Sequence, residues 1–459
     1  METLFDREAE LGKLEACWKE ARAGKPQLNL VWGRRRVGKT FLLSHFTHGK
    51  RSLFFGATQQ AQGAELARLS EAVARDLGTR VADLAGGHFA SWEAAFRFFA
   101  ALADEEPLLV VLDEVPYLAR STPGFASIVQ AVWDHLPKPN KLMLILTGSA
   151  FGAMKTMMGA GGPLLGRPTL ILRLDPLSLQ KARMFLPRLK PEDFVRAYAA
   201  CGGYPRHLQS WDQHANVDAN LQRLAMSTGG ILLEDAVGIL REELPETGGY
   251  AKILAAVGCG RSRYSEIAGI AEQRVEQPLE VLTRADFIRR MAPLTAPKAA
   301  APIYEIADTY LAFWFGVLYS EIPRIEAGQG RQVLKRVRPR METHLGRVFE
   351  EAARQHARDL VESGKLPDEM VIGRWWATTR DACEIDVLGV LNSQTVLLGE
   401  AKWQAQPLGT RELEMLRRKV TRVPKPVPEP MYALWGRGGV EPAVKAAGAL
   451  GFGLEEMLG

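Results

Sequence analysis

Five short apolar runs mark the first part of the chain: LNLVW (28–32), SLFFGA (52–57), LLVVLDE (108–114), LMLILTGS (142–149) and TLILRL (169–174). Each is strand-sized, and amphipathic, helix-like stretches separate them. Continuous apolar runs of this kind fit strands buried on both faces of a parallel α/β sheet. From about residue 176 to 240 the runs stop, and helical periodicity takes over with Pro and Gly breaks, as in a small helical subdomain. Residues 246–320 then read as a helix (YAKILAAVG), a short helix (SEIAGI) and a third (VEQPLEVLTRADF). A strand–turn–strand from Ile288 to Ile306 follows, which is the order of a winged helix-turn-helix. Arg331, Lys335, Arg336, Arg338 and Arg340 form a basic connector, and the rest is a second α/β unit. The expected division is 1–175, 176–244, 245–330 and 331–459.

A chain of 459 residues is too long for one core. Its 47% hydrophobic and 24% charged residues are ordinary globular values. A net charge of +5 permits a local basic surface without demanding one. Cys17, Cys201, Cys259 and Cys383 are scattered with no CxxC pair, which argues against a disulfide framework or zinc site. The start METLFDREAELGKLE carries no signal-peptide core, and the apolar runs are too short to span a bilayer. A cytoplasmic protein with no membrane partner is expected.

GRRRVGKT (33–40) leaves the run LNLVW and opens the helix-like KTFLLSHF. It fits the phosphate-binding pattern G-x-x-x-x-G-K-[ST] in its strand–loop–helix context. Gly33 and Gly38 let the backbone of Arg34, Arg35, Arg36 and Val37 curl so that N–H groups point at phosphate oxygens, at a helix N-terminus. Lys39 is placed to reach the β- and γ-phosphates of ATP, and Thr40 to ligate Mg²⁺. Downstream, VVLDEVPYL ends a strand with Asp113 and Glu114. Asp113 would hold Mg²⁺ through water, and Glu114 would act as general base on the attacking water, which argues for hydrolysis beyond mere nucleotide binding. Thr147 and Ser149 end the next strand; they either sense the γ-phosphate and orient water, or cap the helix AFGAMKTMM.

Near the C-terminus, ACEIDVLGVLNSQTVLLGEAKW reads as a hairpin turning at Asn392–Ser393. Alternation along strands puts Glu384 with Asp386, and Glu400 with Lys402. The two pairs can meet, so that carboxylates chelate Mg²⁺ and the lysine orients water or stabilises a phosphate. An ordinary charged hairpin, with Lys402 paired to Glu384 across the sheet, is the bland alternative. Before it, GRVFEEAARQHARDL buries Val348, Phe349, Ala352 and Ala353 and offers Glu350 or Glu351. After it, TRELEMLRRKVTRV buries Leu413, Leu416 and Val420 and leaves Arg411, Arg418 and Arg422 for a phosphate backbone.

Taken together, the chain resembles the archaeal-type ATPases of the STAND branch of AAA-like P-loop proteins. The residues that carry the resemblance are LFDREAELGKLE, GRRRVGKT, VVLDEVPYL, LTGSAFGAMKTMM, PLLGRPTLILRLDPLS and GGYPRHL, with IYEIADTYLAFWFGVL (303–318) as the junction after a winged helix. The resemblance implies that Arg167 reaches the γ-phosphate, in its own subunit or a neighbour's, although a plain surface arginine before Pro168 fits equally. It implies that Pro205, in Gly203–Tyr204–Pro205, packs near the adenine, and that Phe5–Asp6–Arg7–Glu8 lies near the base. In such proteins ATP holds the parts together and hydrolysis resets a switch. The C-terminal stretch resembles the PD-(D/E)xK nuclease fold, which selects Glu350 as the helix glutamate, Glu350, Asp386 and Glu400 as metal ligands, and Asp386, Glu400 and Lys402 as the catalytic set.

The expected architecture is therefore α/β: a P-loop NTPase parallel sheet, a helical subdomain, a winged helix and a restriction-endonuclease-like domain. Its expected role is an ATP-hydrolysing switch coupled to a Mg²⁺-dependent nuclease, with ATP and nucleic acid (DNA ahead of RNA) as partners and a homo-oligomer as an option. The alternative is a regulatory switch that grips nucleic acid or protein without cutting. Glu276, Glu280 and Asp286 make the third helix of the winged helix a poor phosphate-binding face, which favours a packing role for that module.

Overall fold

The computed structural model describes residues 7–78, 87–149, 151–159, 161–244, 247–271, 274–295, 302–377 and 383–459. The Phe5–Asp6 part of the N-terminal motif lies outside them. The chain divides into two units, Met1–Pro176 and Leu177–Gly459.

In the first unit the five apolar runs form β1 (Gln27–Trp32), β2 (Ser52–Gly56), β3 (Leu108–Asp113), β4 (Leu142–Gly148) and β5 (Leu170–Arg173). They pair in the order β2-β3-β4-β1-β5, all parallel. β1, β3 and β4 are buried along their whole length, because crossover helices cover both faces. The edge strand β5 leaves Ile171 exposed. Helix α1 (Glu8–Arg22) precedes β1, α2 (Lys39–Thr47) follows it, and α3 (Gln62–Leu77) and α4 (Trp92–Glu105) lie between β2 and β3. Ser91 caps α4 by accepting from the Ala94 N–H. Beneath that cap Trp92 meets Phe125 edge-on at 5.3 Å, and Phe96 completes an aromatic core. Because β1 lies between β4 and β5, the loop leaving β1 rises beside the carboxyl ends of β3 and β4, where open α/β sheets place their ligands.

The second unit begins with helices, among them Pro191–Cys201, Pro205–Gln209, Val217–Leu224 and Ile231–Glu243. The GGYPRHL stretch sits in its core. Tyr204 is fully buried and donates to Asp308 at 2.8 Å, and His207 pairs with Asp235 at 2.8 Å. Pro205 occupies the first turn of its helix, where a missing N–H costs nothing. Three helices follow, Thr247–Gly258, Tyr264–Ala271 and Glu276–Arg284, then an antiparallel pair, β6 (Ile288–Met291) with β7 (Ile303–Ile306). Residues 296–301 between the two strands lie outside the described residues.

The basic connector expected at 331–340 is instead the opening of one long helix, Gly330–Glu362. Val333, Leu334 and Val337 bury its inner face, and Arg336 and Arg340 meet the buried Glu321. The expected boundaries at 244/245 and 330/331 both lie within the second unit. The long helix lies against a mixed sheet of β8 (Val371–Ala377), β9 (Cys383–Leu391), β10 (Gln394–Lys402), β11 (Pro426–Gly436) and β12 (Leu450–Phe452). β8, β9 and β10 run antiparallel, and β11 and β12 add in parallel. Asn392 and Ser393 both have positive φ, 50° and 64°, the primed turn that suits a two-residue hairpin.

One of the tightest backbone approaches in this unit is at Gly203, where a Cβ would lie 1.9 Å from the Leu177 carbonyl oxygen. Neither atom belongs to a movable side chain. Gly203→Ala is expected to cost several kcal/mol, on the order of the largest single-site effects, and to leave little folded protein. A thermal melt within a degree or two of wild type would contradict this packing.

Candidate functional site

The β1–α2 loop positions the first site. Gly33 is required because a side chain there would collide with the Leu174 carbonyl, 2.1 Å from an ideal Cβ. Gly38, at φ 98°, turns the chain into α2. Val37 and Arg34 are buried, Arg36 is half-buried, and Arg35 is exposed. Lys39 is buried and donates to the carbonyls of Gly33 and Arg34 at 2.8 and 3.0 Å. The Thr40 hydroxyl donates to Asp113 at 2.8 Å, which joins the loop to the end of β3. Burial holds the Asp113 carboxyl above its ordinary range, with the Glu114 charge adding to it and Thr40 and Lys39 opposing it. Hydroxyl and carboxylate oxygens at this spacing are a donor set that a hard cation such as Mg²⁺ accepts.

Glu114 has left-handed backbone at φ 56°, a strain rarely kept without a reason. Its carboxylate is gripped by Ser149, whose N–H donates at 3.2 Å and whose hydroxyl lies 2.9 and 2.8 Å from the two oxygens. Ser149 therefore orients the glutamate. Thr147 is fully buried, and its hydroxyl meets no hydrogen-bond partner among the described residues. Arg7 was unassigned by residue pattern alone. It is buried and donates to the carbonyls of Val37 and Asp175 at 3.3 and 2.8 Å, so it ties the loop to the segment after β5. Arg167 faces Asp134 in a bidentate pair, both bonds 2.8 Å, and also donates to the carbonyls of Pro163 and Leu165.

The second site lies where the long helix crosses β9. Carboxylate oxygens of Glu350, Glu384 and Asp386 all lie within 4.8 Å of one another. The trio differs from the expected Glu350, Asp386 and Glu400. Glu400 is instead held by two ammonium groups, Lys402 at 2.6 Å and Lys419 at 2.7 Å. Lys402 thus pairs along its own strand rather than across to Glu384, which pairs with Arg374. Arg374 also reaches Glu305 on β7 at 2.6 Å. Asp386 accepts from the Ala401 N–H at 2.9 Å, and Arg354 donates to its carbonyl at 2.9 Å.

Burial and the nearby Asp386 charge push Glu350 up to about 7. Burial and the Glu400 charge push Asp386 up to about 6. Burial alone would also raise Glu400, but Lys402 and Lys419 outweigh it and hold that carboxyl below its ordinary range. Two buried acids raised by neighbouring carboxylates, beside one acid saturated by lysines, is an arrangement that a divalent cation would relieve at Glu350 and Asp386. Lys419 escapes a helical-face reading, because the helix Thr410–Arg418 ends just before it and the chain turns it inward. Arg411, Arg418 and Arg422 remain exposed.

Comparisons with known proteins agree with the first site. Residues 4–211 match a family described as an ATPase domain predominantly from Archaea. Residues 314–416 match DUF234, described as archaeal and bacterial proteins of unknown function. The uncharacterised protein MJECL04 of Methanocaldococcus jannaschii is 27% identical over 448 residues, 94% of this chain and 95% of its own length. Among solved structures, the Walker-type ATPase PABY2304 of Pyrococcus abyssi aligns with a TM-score of 0.50 and 22% identity, over 68% of this chain and 96% of that one. A P-loop that meets Asp113 through Thr40, on a parallel five-stranded sheet with this family match, makes the protein an ATPase with an archaeal-type ATPase domain followed by a DUF234 region.

Proposed function

We propose that the protein is an ATP-driven switch whose second unit carries a metal-dependent, nuclease-type centre acting on nucleic acid, DNA ahead of RNA. The observation that carries this reading is the convergence of Glu350, Glu384 and Asp386, with Glu400 and Lys402 beside them. In this reading residues 1–175 form the ATPase domain, 176–244 a helical subdomain, 245–330 a winged helix and 331–459 a restriction-endonuclease-like domain. The succession of three helices and the β6–β7 pair supports the third. A helix packed on a hairpin, followed by a crossover helix and a parallel strand, supports the fourth. The free cysteines, Cys259 among them exposed, suit a reducing cytoplasm, and no helix among the described residues is long and apolar enough to cross a membrane.

In the ATPase domain Lys39 would neutralise the β- and γ-phosphates, and Thr40 and Asp113 would hold Mg²⁺, which would supply further charge neutralisation there. Glu114, aimed by Ser149, takes a proton from the water whose oxygen bonds to the γ-phosphorus as the bond to the leaving diphosphate breaks. Arg167 would contribute only after leaving Asp134, in its own chain or in a second copy, and Pro205 would pack near the adenine. In the C-terminal centre Glu350, Glu384 and Asp386 would hold Mg²⁺ or Mn²⁺, whose chemistry is to polarise the scissile phosphate and a water. Glu400 holds Lys402 at the centre, where its ammonium steadies charge on the phosphodiester being cut.

A second reading is a switch that binds without cutting. It is favoured by the pairing of Glu400 with two lysines and of Glu384 with Arg374.

Three outcomes test these assignments. Lys39→Ala should lose nucleotide binding. Glu114→Gln should keep it while phosphate release slows by about 10²–10⁴-fold, with Ser149→Ala in between; a Glu114→Gln protein as fast as wild type would remove Glu114 from its role. Next, purified protein is incubated with DNA or RNA and Mg²⁺ or Mn²⁺, under ATP, ADP and no nucleotide. Cutting should disappear in Asp386→Ala and Lys402→Ala. Cutting that survives them places the activity elsewhere, and a wild type that cuts nothing in any state supports the binding switch.

The third outcome concerns pH. Glu350 and Asp386 hold their protons to about 7 and about 6 when folded, above the unfolded values of 4.5 and 3.8. Between these limits the folded state binds more protons, so without metal their contribution to stability falls as pH rises through this window. Cations compete with those protons, so Mn²⁺ affinity measured calorimetrically should climb from pH 5.5 to 8 and be lost in Asp386→Asn. An affinity flat across that range would contradict the cluster as a metal site.

A further inference from the structure

On the long helix Gly330–Glu362, Arg336, Arg340, Arg347 and Glu350 fall on one stripe, because residues four, seven and three apart return to nearly the same face. At 1.5 Å per residue, Arg340 and Glu350 are about 15 Å apart along the axis. The stripe therefore runs straight to the carboxylate cluster.

At its far end Arg324, Arg336 and Arg340 converge on the buried Glu321, at 3.0, 3.3 and 2.6 Å. These groups and Ser320 line an open cavity of about 690 Å³. One arginine would neutralise Glu321, and three leave a surplus of positive charge. Arg324 and Arg336 keep 49% and 61% of their side chains exposed, with donors turned outward. Nearer the cluster, Arg347 is exposed and donates to the Gly258 carbonyl at 3.2 Å. Its guanidinium also lies against Gly260. That turn continues into Arg261 and Arg263, both exposed. The opposite face of the helix behaves differently, since Arg338 is consumed by Asp218. The helix Glu276–Arg284 offers no rival surface, as its Arg284 pairs with Glu280.

We propose that Arg324, Arg336, Arg340, Arg347, Arg261 and Arg263 form a track for the phosphodiester backbone of a nucleic-acid strand, and that the track delivers the strand to Glu350, Glu384 and Asp386. Guanidinium groups match phosphate oxygens in bidentate geometry, and a row of them reads charge rather than sequence. The direction of delivery rests on the proposed C-terminal centre, and the binding surface does not.

The experiment measures binding alone, by fluorescence anisotropy of labelled duplex DNA, single-stranded DNA and RNA, in EDTA with no nucleotide. Arg347→Glu and the pair Arg261→Ser with Arg263→Ser spare the Glu321 network, and unchanged thermal melts verify folding. Both variants should weaken binding several-fold irrespective of base sequence. For duplex DNA the slope of log affinity against log salt should become shallower by about one per arginine removed. Lys335→Ala, on another face of the helix, should bind as wild type does. The comparison of the three probes distinguishes DNA from RNA as the occupant. Variants that bind like wild type, a wild type that binds none of the probes, or an equal loss in Lys335→Ala would each overturn the track. Cleavage is no part of the readout, so an inert metal centre leaves a positive result standing.

Discussion

A carboxylate taken out of water must find a donor or a cation, and the polar interior of this protein is arranged around that demand. Asp113 finds Thr40, Glu114 finds Ser149, and Glu321 finds three arginines. Glu400 finds two lysines. Glu350 and Asp386 are less fully compensated: burial and the Asp386 charge raise the first, and burial and the Glu400 charge raise the second despite its bond from the Ala401 N–H. The first unit solves its version by geometry. Putting β1 between β4 and β5 delivers the loop threonine to the end of β3, and the same ladder brings Ser149 from the end of β4 to Glu114.

Much of this was legible along the chain, and the reasons differ by element. The apolar runs of the first unit became its five strands because parallel strands covered on both faces leave little room for a polar residue. GRRRVGKT and Asp113–Glu114 were readable because the chemistry needs those residue types at a strand's end. The order in which the strands pair was not, since it depends on crossovers that periodicity does not record. Ser149 was open between two roles, and only the fold decides that its hydroxyl meets Glu114.

The second unit shows where composition misleads. The charge density at 331–340 suggested a basic connector, although Val333, Leu334 and Val337 sit there at helical spacing. What makes it a packed helix is Glu321, whose meeting with the arginines is a tertiary event. At the carboxylate cluster, strand alternation correctly put Glu384 beside Asp386, yet its convergence with Glu350 depends on how the helix crosses the sheet. Lys419 could not be placed from helical periodicity because it follows the end of its helix. Arg374, bonded to Glu305 on β7 and Glu384 on β9, links the small hairpin to the cluster in a way no linear pattern announces.

The helical run from Gly330 to Glu362, with Pro339 inside it, has a mechanical consequence. At 1.5 Å per residue it is about 50 Å long, and Pro339 removes one backbone hydrogen bond near its start while the turns beyond it keep theirs. The helical layer grips its first turns, through Val333, Leu334 and Arg340, and the sheet grips the turns around Phe349 and Ala353. The turns beyond Pro339 therefore rotate together with Glu350, with no loop between to absorb the motion. Movement of the helical layer against those turns and the aim of the Glu350 carboxylate are coupled.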